Sequence, residues 1–97
     1  MIKIWMTEKP WYREVKPIRK VVIPGYEEYE FYAIHDITFK SKVCITEART
    51  GEAVGVGGTS AKRAIANAVR SLEKYTKEEI NAKIENALRR HQLEMAE

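Results

Sequence analysis

The sequence predicts an α+β domain, a three- to four-stranded antiparallel sheet packed by one helix and followed by a second. Three observations lead there. Between Glu28 and Val56 the chain is rich in β-branched and aromatic residues, set in short runs separated by turn residues. After Gly57-Gly58 the apolar spacing changes from two residues to three and four, the change from strand to helix. At Thr76 a Thr-x-x-Glu box ending at Glu79 precedes another apolar stripe, the mark of a new helix start.

Taken in order, Met1 to Ile23 mixes β-branched, aromatic and basic residues, with Pro10 and Pro17 interrupting any helical pattern. It reads as extended chain supplying an edge strand, with Trp5, Trp11 and Tyr12 as bulky anchors. Pro24-Gly25 punctuates the chain, and Glu28 to Phe39 then carries Tyr29, Phe31, Tyr32, Ile34, Ile37 and Phe39, strong strand formers. From Lys42 to Ala48 the residues alternate, Val43 and Ile45 on one face and Lys42, Cys44 and Thr46 on the other, which predicts a half-buried strand. Arg49-Thr50-Gly51-Glu52 turns it back into a short strand, Ala53 to Val56. The helix from Ala61 to Tyr75 has Thr59 or Ser60 available as its cap, and its alanines let it lie close against a sheet. The second helix runs to about Glu94 with Ile80, Ile84, Ala87, Leu88, His91 and Met95 along one stripe. Phe31, Val43, Ile45, Val54, Ile65, Ala68 and Leu72 are the expected core, and the far face of the sheet is expected to stay partly open.

Ninety-seven residues suffice for one core and not for two, so the chain divides only into an extended segment (1–23), a β-β-β-α unit (24–75) and an appended helix (76–97). That length excludes a complete dinucleotide-binding sheet or a (β/α)8 barrel. With 44% hydrophobic and 32% charged residues and no long apolar run, the composition predicts a soluble protein that does not enter a membrane. The opening residues lack the pattern of a secretory signal, so a cytoplasmic location is expected. One cysteine excludes an internal disulfide, and Cys44 with His35 and His91 cannot supply a clustered ligand set, so no metal and no cofactor are expected.

The excess of basic residues, 17 against 14 acidic, gives a net charge of +3 and favours anionic partners. His35, Asp36 and Cys44 are the one grouping that could pair a base with a nucleophile, but neighbours on a strand point to opposite faces, so no enzyme activity is expected. Gly55-Val56-Gly57-Gly58-Thr59-Ser60 leads into a helix, where free amides and the dipole favour an anion. It is not a nucleotide-hydrolysing loop, since Lys62 falls too late after the last glycine. The competing reading is a glycine turn that merely tightens the join. Lys62 and Arg63 in the first turn oppose the dipole, at a cost of a few tenths of a kcal/mol each, about the lower end for such charges. Asn67, Arg70 and Lys74 continue the same side, and a phosphate backbone there would offset that cost.

The order of strands, glycine turn and alanine-rich basic helix resembles the double-stranded RNA-binding domain over about residues 24–75. Pro24-Gly25-Tyr26-Glu27 is similar to the stretch before that family's first strand. His35 precedes Phe39, Val43 and Ile45 at the spacing of its loop histidine, and Gly57 to Ala64, with Ala68, resembles its helix start. Ala33-Ile34 stands where the family has glycine-proline, and Lys62 alone keeps its lysine cluster. The resemblance implies non-enzymatic binding of a duplex by shape and phosphate, with His35 in a loop.

The expectation is therefore a nucleic-acid-binding protein contacting a duplex through Lys62, Arg63, Asn67, Arg70, Gly58, Thr59, Ser60 and His35. The alternative is a protein-binding inhibitor or adaptor, of the kind carried by phages and mobile elements, docking through Trp5, Trp11 and Tyr12. The second helix is expected to pair two copies through Ile80, Ile84, Leu88, His91 and Met95, with packing on its own sheet as the other solution.

Overall fold

The computed structural model describes residues 1–97. Six strands precede two helices: β1 (Ile2–Trp5), β2 (Tyr12–Val15), β3 (Arg19–Val21), β4 (Phe31–His35), β5 (Val43–Glu47), β6 (Ala53–Val56), α1 (Ala61–Glu73) and α2 (Lys77–Met95). The α+β class stands, with two antiparallel sheets: the hairpin β1-β2 and the four-stranded β3-β4-β5-β6. Neither helix is long and apolar enough to cross a membrane.

The first 23 residues do more than supply an edge. β3 is the edge strand, pairing Arg19 with Ala33 and Val21 with Phe31. Ahead of it, β1 and β2 pair Ile2 with Val15 and Trp5 with Tyr12, and this hairpin covers the sheet face that the sequence left open. Ile4 is 5% exposed and clusters with Ile34 and Cys44. Consequently β5 is buried at all five positions rather than on alternate ones. The hairpin is fastened at the β5-β6 turn, where the Trp5 amide donates to the Gly51 carbonyl at 2.9 Å. Gly51 has φ +71°, and a Cβ there would lie 2.7 Å from the Lys3 carbonyl oxygen and the Trp5 nitrogen, so only glycine fits so close an approach.

On the other face, α1 lies against β5 and β6 through Ala64 and Ala68, both fully buried. The sheet meets these small residues with glycines of its own: a Cβ on Gly55 would stand 2.6 Å from the Ala64 carbonyl oxygen and the Ala68 nitrogen. Val21, Ile23, Phe31, Val43, Ile45 and Leu72 complete the main core, with Val54 and Ile65 half-buried at its margin. The strand expected from Glu28 to Phe39 is limited to five residues, since Glu28 and Tyr29 lie in a turn closed by the Tyr29 amide on the Tyr26 carbonyl and the chain beyond His35 turns away at Asp36.

α2 closes on the same molecule. Ser60 caps α1, and Thr76 and Glu79 form the expected capping box at α2. Ile80 and Ile84, 6% exposed each, join the main core beside Phe31 and Leu72, with Leu88 at its edge, and His91 is 1% exposed. Of the two solutions for this stripe, packing within the chain is the one seen: Ile80, Ile84 and His91 are covered by the sheet, α1 and the hairpin. Only Met95 remains outside it, 42% exposed.

Candidate functional site

The antiparallel order separates charge by position. His35 ends β4 opposite Val43, which begins β5, and Val43 in turn exchanges hydrogen bonds with Gly57 and Gly58 just before α1. The last residue of β4, the β4-β5 loop and the first turn of α1 therefore share one end of the sheet. His35, Lys40, Lys42, Lys62 and Arg63 sit there, all exposed. The opposite end gathers Glu27, Glu28, Glu30, Glu47 and Glu52 from the segments around Phe31, the end of β5 and the start of β6. Every lysine or arginine that makes an ion pair does so with an acid away from the basic end: Lys77 with Glu28 at 2.7 Å, Arg90 with Glu52 at 3.7 Å, and Arg49 with Glu85 at 3.1 Å. The basic end holds none.

α1 carries this charge along its outer face. At 100° per residue, Lys62, Ala66, Arg70, Arg63 and Asn67 fall within one side of the helix, opposite Ala64, Ala68 and Leu72. Ser60, Lys62, Arg63, Ala66, Asn67 and Arg70 line a shallow groove there of about 420 Å³. The first turn of α1 has no acidic residue, whereas that of α2 has Glu78 and Glu79. The Ser60 hydroxyl accepts from the Arg63 amide at 3.2 Å, and the Ala61 and Lys62 amides find no acceptor in the chain. Unpaired cations and unpaired amides therefore point the same way, and their potentials add.

The residues named from sequence divide by role. Lys62, Arg63 and Arg70 are exposed and free of acidic partners. Thr59 is exposed and makes no side-chain hydrogen bond within the chain, while Ser60 serves as the cap. Gly58, at φ +58° with open space around its Cα, turns the chain into the helix while its carbonyl accepts from the Val43 amide. Asn67 plays a structural part, since its Nδ2 donates to the Val56 carbonyl at 2.6 Å and ties α1 to the outer edge of β6. His35 closes β4 and is exposed; the loop begins one residue later. Lys40 and Lys42 were missed by sequence reasoning, which drew a strand through Phe39. The signal was Asp36, a short acid two and three residues before amides that need an acceptor. Its Oδ1 accepts from Thr38 at 2.8 Å and Phe39 at 2.9 Å, and those bonds, the Phe39 amide first, hold its carboxyl below the usual carboxylate range.

The aromatic residues expected to dock a protein are instead half-buried around His91. Trp5 stacks on the His91 ring with centroids 3.7 Å apart and on Trp11 at 5.5 Å. His91 Nε2 lies 2.8 Å from Glu52 and Nδ1 lies 3.1 Å from the Tyr12 hydroxyl. Because a carboxylate only accepts, Nε2 carries a proton and donates it, leaving Nδ1 to accept from Tyr12 in the neutral ring. Cys44 is equally committed: burial, followed by its hydrogen bond to Asp36, pushes the thiol up to about 11, the opposite of nucleophile activation.

Comparison with protein-family models, curated proteins and solved structures yields no match to this chain.

Proposed function

We propose that this chain is a non-enzymatic nucleic-acid-binding protein that holds the phosphate backbone of a duplex against the outer face of α1. The observation that carries the reading is the ion-pair-free row of Lys62, Arg63, Arg70 and Lys74 beside two unpaired amides. Lys62 and Arg70 are eight residues apart, about 12 Å along the helix axis, and that length passes about three or four phosphates of one strand. Contacts of this kind read charge and spacing, and the resemblance to the double-stranded RNA-binding domain points to duplex RNA as the form bound.

Fluorescence anisotropy of labelled 12-base-pair RNA and DNA duplexes across a salt series tests this. Four phosphate contacts predict a log–log slope of about −3 to −4, so affinity falls on the order of a hundredfold between 50 and 200 mM salt. Absence of binding at the lowest salt would overturn the reading, and preference for DNA would remove the family analogy.

A further inference from the structure

Phe39 is the single large aromatic side chain displayed at the basic end. It is 57% exposed, although the β4-β5 loop around it is well fixed. Asp36 holds the Thr38 and Phe39 amides, and the Lys42 amide donates to the Phe39 carbonyl at 2.8 Å. The next residue, Val43, donates to Gly58 at the threshold of α1, so the ring is set by a short chain of hydrogen bonds from the phosphate-facing helix start. Lys42 Nζ sits 4.8 Å from the ring centroid. A flat apolar ring held outward beside a cation has the composition of a nucleobase platform, because stacking supplies contact area while lysine meets the adjoining phosphate. Tyr75, the other well-exposed aromatic ring, lies beyond the far end of α1, away from the basic end; it cannot share this role.

Resting on the nucleic-acid reading above, we infer that Phe39 stacks on an unpaired base adjoining the duplex, so that the preferred ligand is a duplex with a single-stranded overhang rather than a blunt one. α1 tracks the paired backbone, and the first unpaired base lies on the free face of Phe39.

The test compares a blunt 12-base-pair RNA duplex with the same duplex carrying a three-nucleotide overhang that has 2-aminopurine at its first unpaired position. The unmutated protein binds the overhang about tenfold more tightly, the size of one base stacked on an aromatic ring, and changes the 2-aminopurine fluorescence. Phe39→Ala removes that preference and the fluorescence change while leaving blunt-duplex affinity and its salt slope intact. Phe39→Trp retains both. The turn is built from backbone amides, so the alanine variant folds, which its circular dichroism verifies. Equal binding of the two duplexes by the unmutated protein, or an equal loss on both in Phe39→Ala, overturns the stacking inference while the basic-face reading survives. No binding of either duplex at low salt overturns both.

Discussion

Replacing His91 with alanine should loosen the joint between the N-terminal hairpin and α2. The ring is 1% exposed, stacked on Trp5 and bonded at both nitrogens. Emptying such a site costs a cavity and transfer term of about 2–3 kcal/mol, at the lower end for buried rings because imidazole is small. The Tyr12 bond adds about 1 kcal/mol and the Glu52 bond about the same. The Glu52 value is discounted from the usual charged figure because its side chain is 36% exposed and rehydrates when the ring is gone. The sum is about 4–5 kcal/mol, a large share of the ~5–15 kcal/mol that holds a small domain together. His91→Phe keeps the volume and the stack but loses both bonds, so it should cost about 1–2 kcal/mol. Urea denaturation followed by tryptophan fluorescence reads both variants, since Trp5 lies on the ring. Hydrogen exchange should show β1 and β2 losing protection before β4 and β5 do. A loss below about 1 kcal/mol for His91→Ala, no larger than that of the exposed Arg89→Ala, would refute the reasoning.

Gly57 and Gly58 should respond differently to the same added methyl group. A Cβ on Gly57 would collide with the Ala64 nitrogen and the Ser60 carbonyl oxygen, while Gly58 has open space but φ +58°. Gly57→Ala should therefore cost about 3 kcal/mol by overpacking and Gly58→Ala about 1 kcal/mol by backbone strain; thermal melts in the reverse order would contradict the packing of α1. Cys44 should be close to inert, because raising its thiol from 9.0 to about 11 lowers the thiolate fraction at pH 8 about a hundredfold, before burial slows access. Native and urea-unfolded protein labelled with a thiol reagent at comparable rates would contradict that. The sign for stability follows: the unfolded thiol ionises first, so stability should fall as pH rises from 9 towards 11, and Cys44→Ala should lessen that fall, leaving the part due to Tyr12 and Tyr29, whose hydroxyls burial also holds above their usual range.

What the sequence disclosed was local. The Thr76-Glu79 box, the Gly51 turn, the Ser60 cap and the facing of α1 rest on residues a few positions apart, where propensity and periodicity act. What it concealed was long-range. Trp5 and His91 meet across 86 positions (91 − 5), and nothing in the spacing of α2 distinguishes a stripe that meets its own hairpin from one that meets a second copy. The same blindness hid the burial of Cys44 and Thr46, whose covering face comes from Ile4 and its neighbours. At the candidate site, Lys62, Arg63 and Arg70 were legible because exposed charge follows directly from helical phase. Lys40 and Lys42 were not, because the Asp36 turn that presents them competes with a run of strong strand formers.

Charge reversal on α1 tests the proposed interface most directly. Lys62→Glu/Arg63→Glu and a control, Lys83→Glu/Arg89→Glu on α2, change net charge by the same −4, and none of these four side chains makes an ion pair. Acidic residues in the first turn of α1 favour the helix dipole by a few tenths of a kcal/mol, about the value for exposed sites, so the first variant should melt no lower than the unmutated protein. Duplex binding measured side by side at 50 mM salt should vanish for the α1 variant and weaken only modestly for the α2 control. Equal losses in the two variants would show that total charge, and not this face, is what the duplex meets.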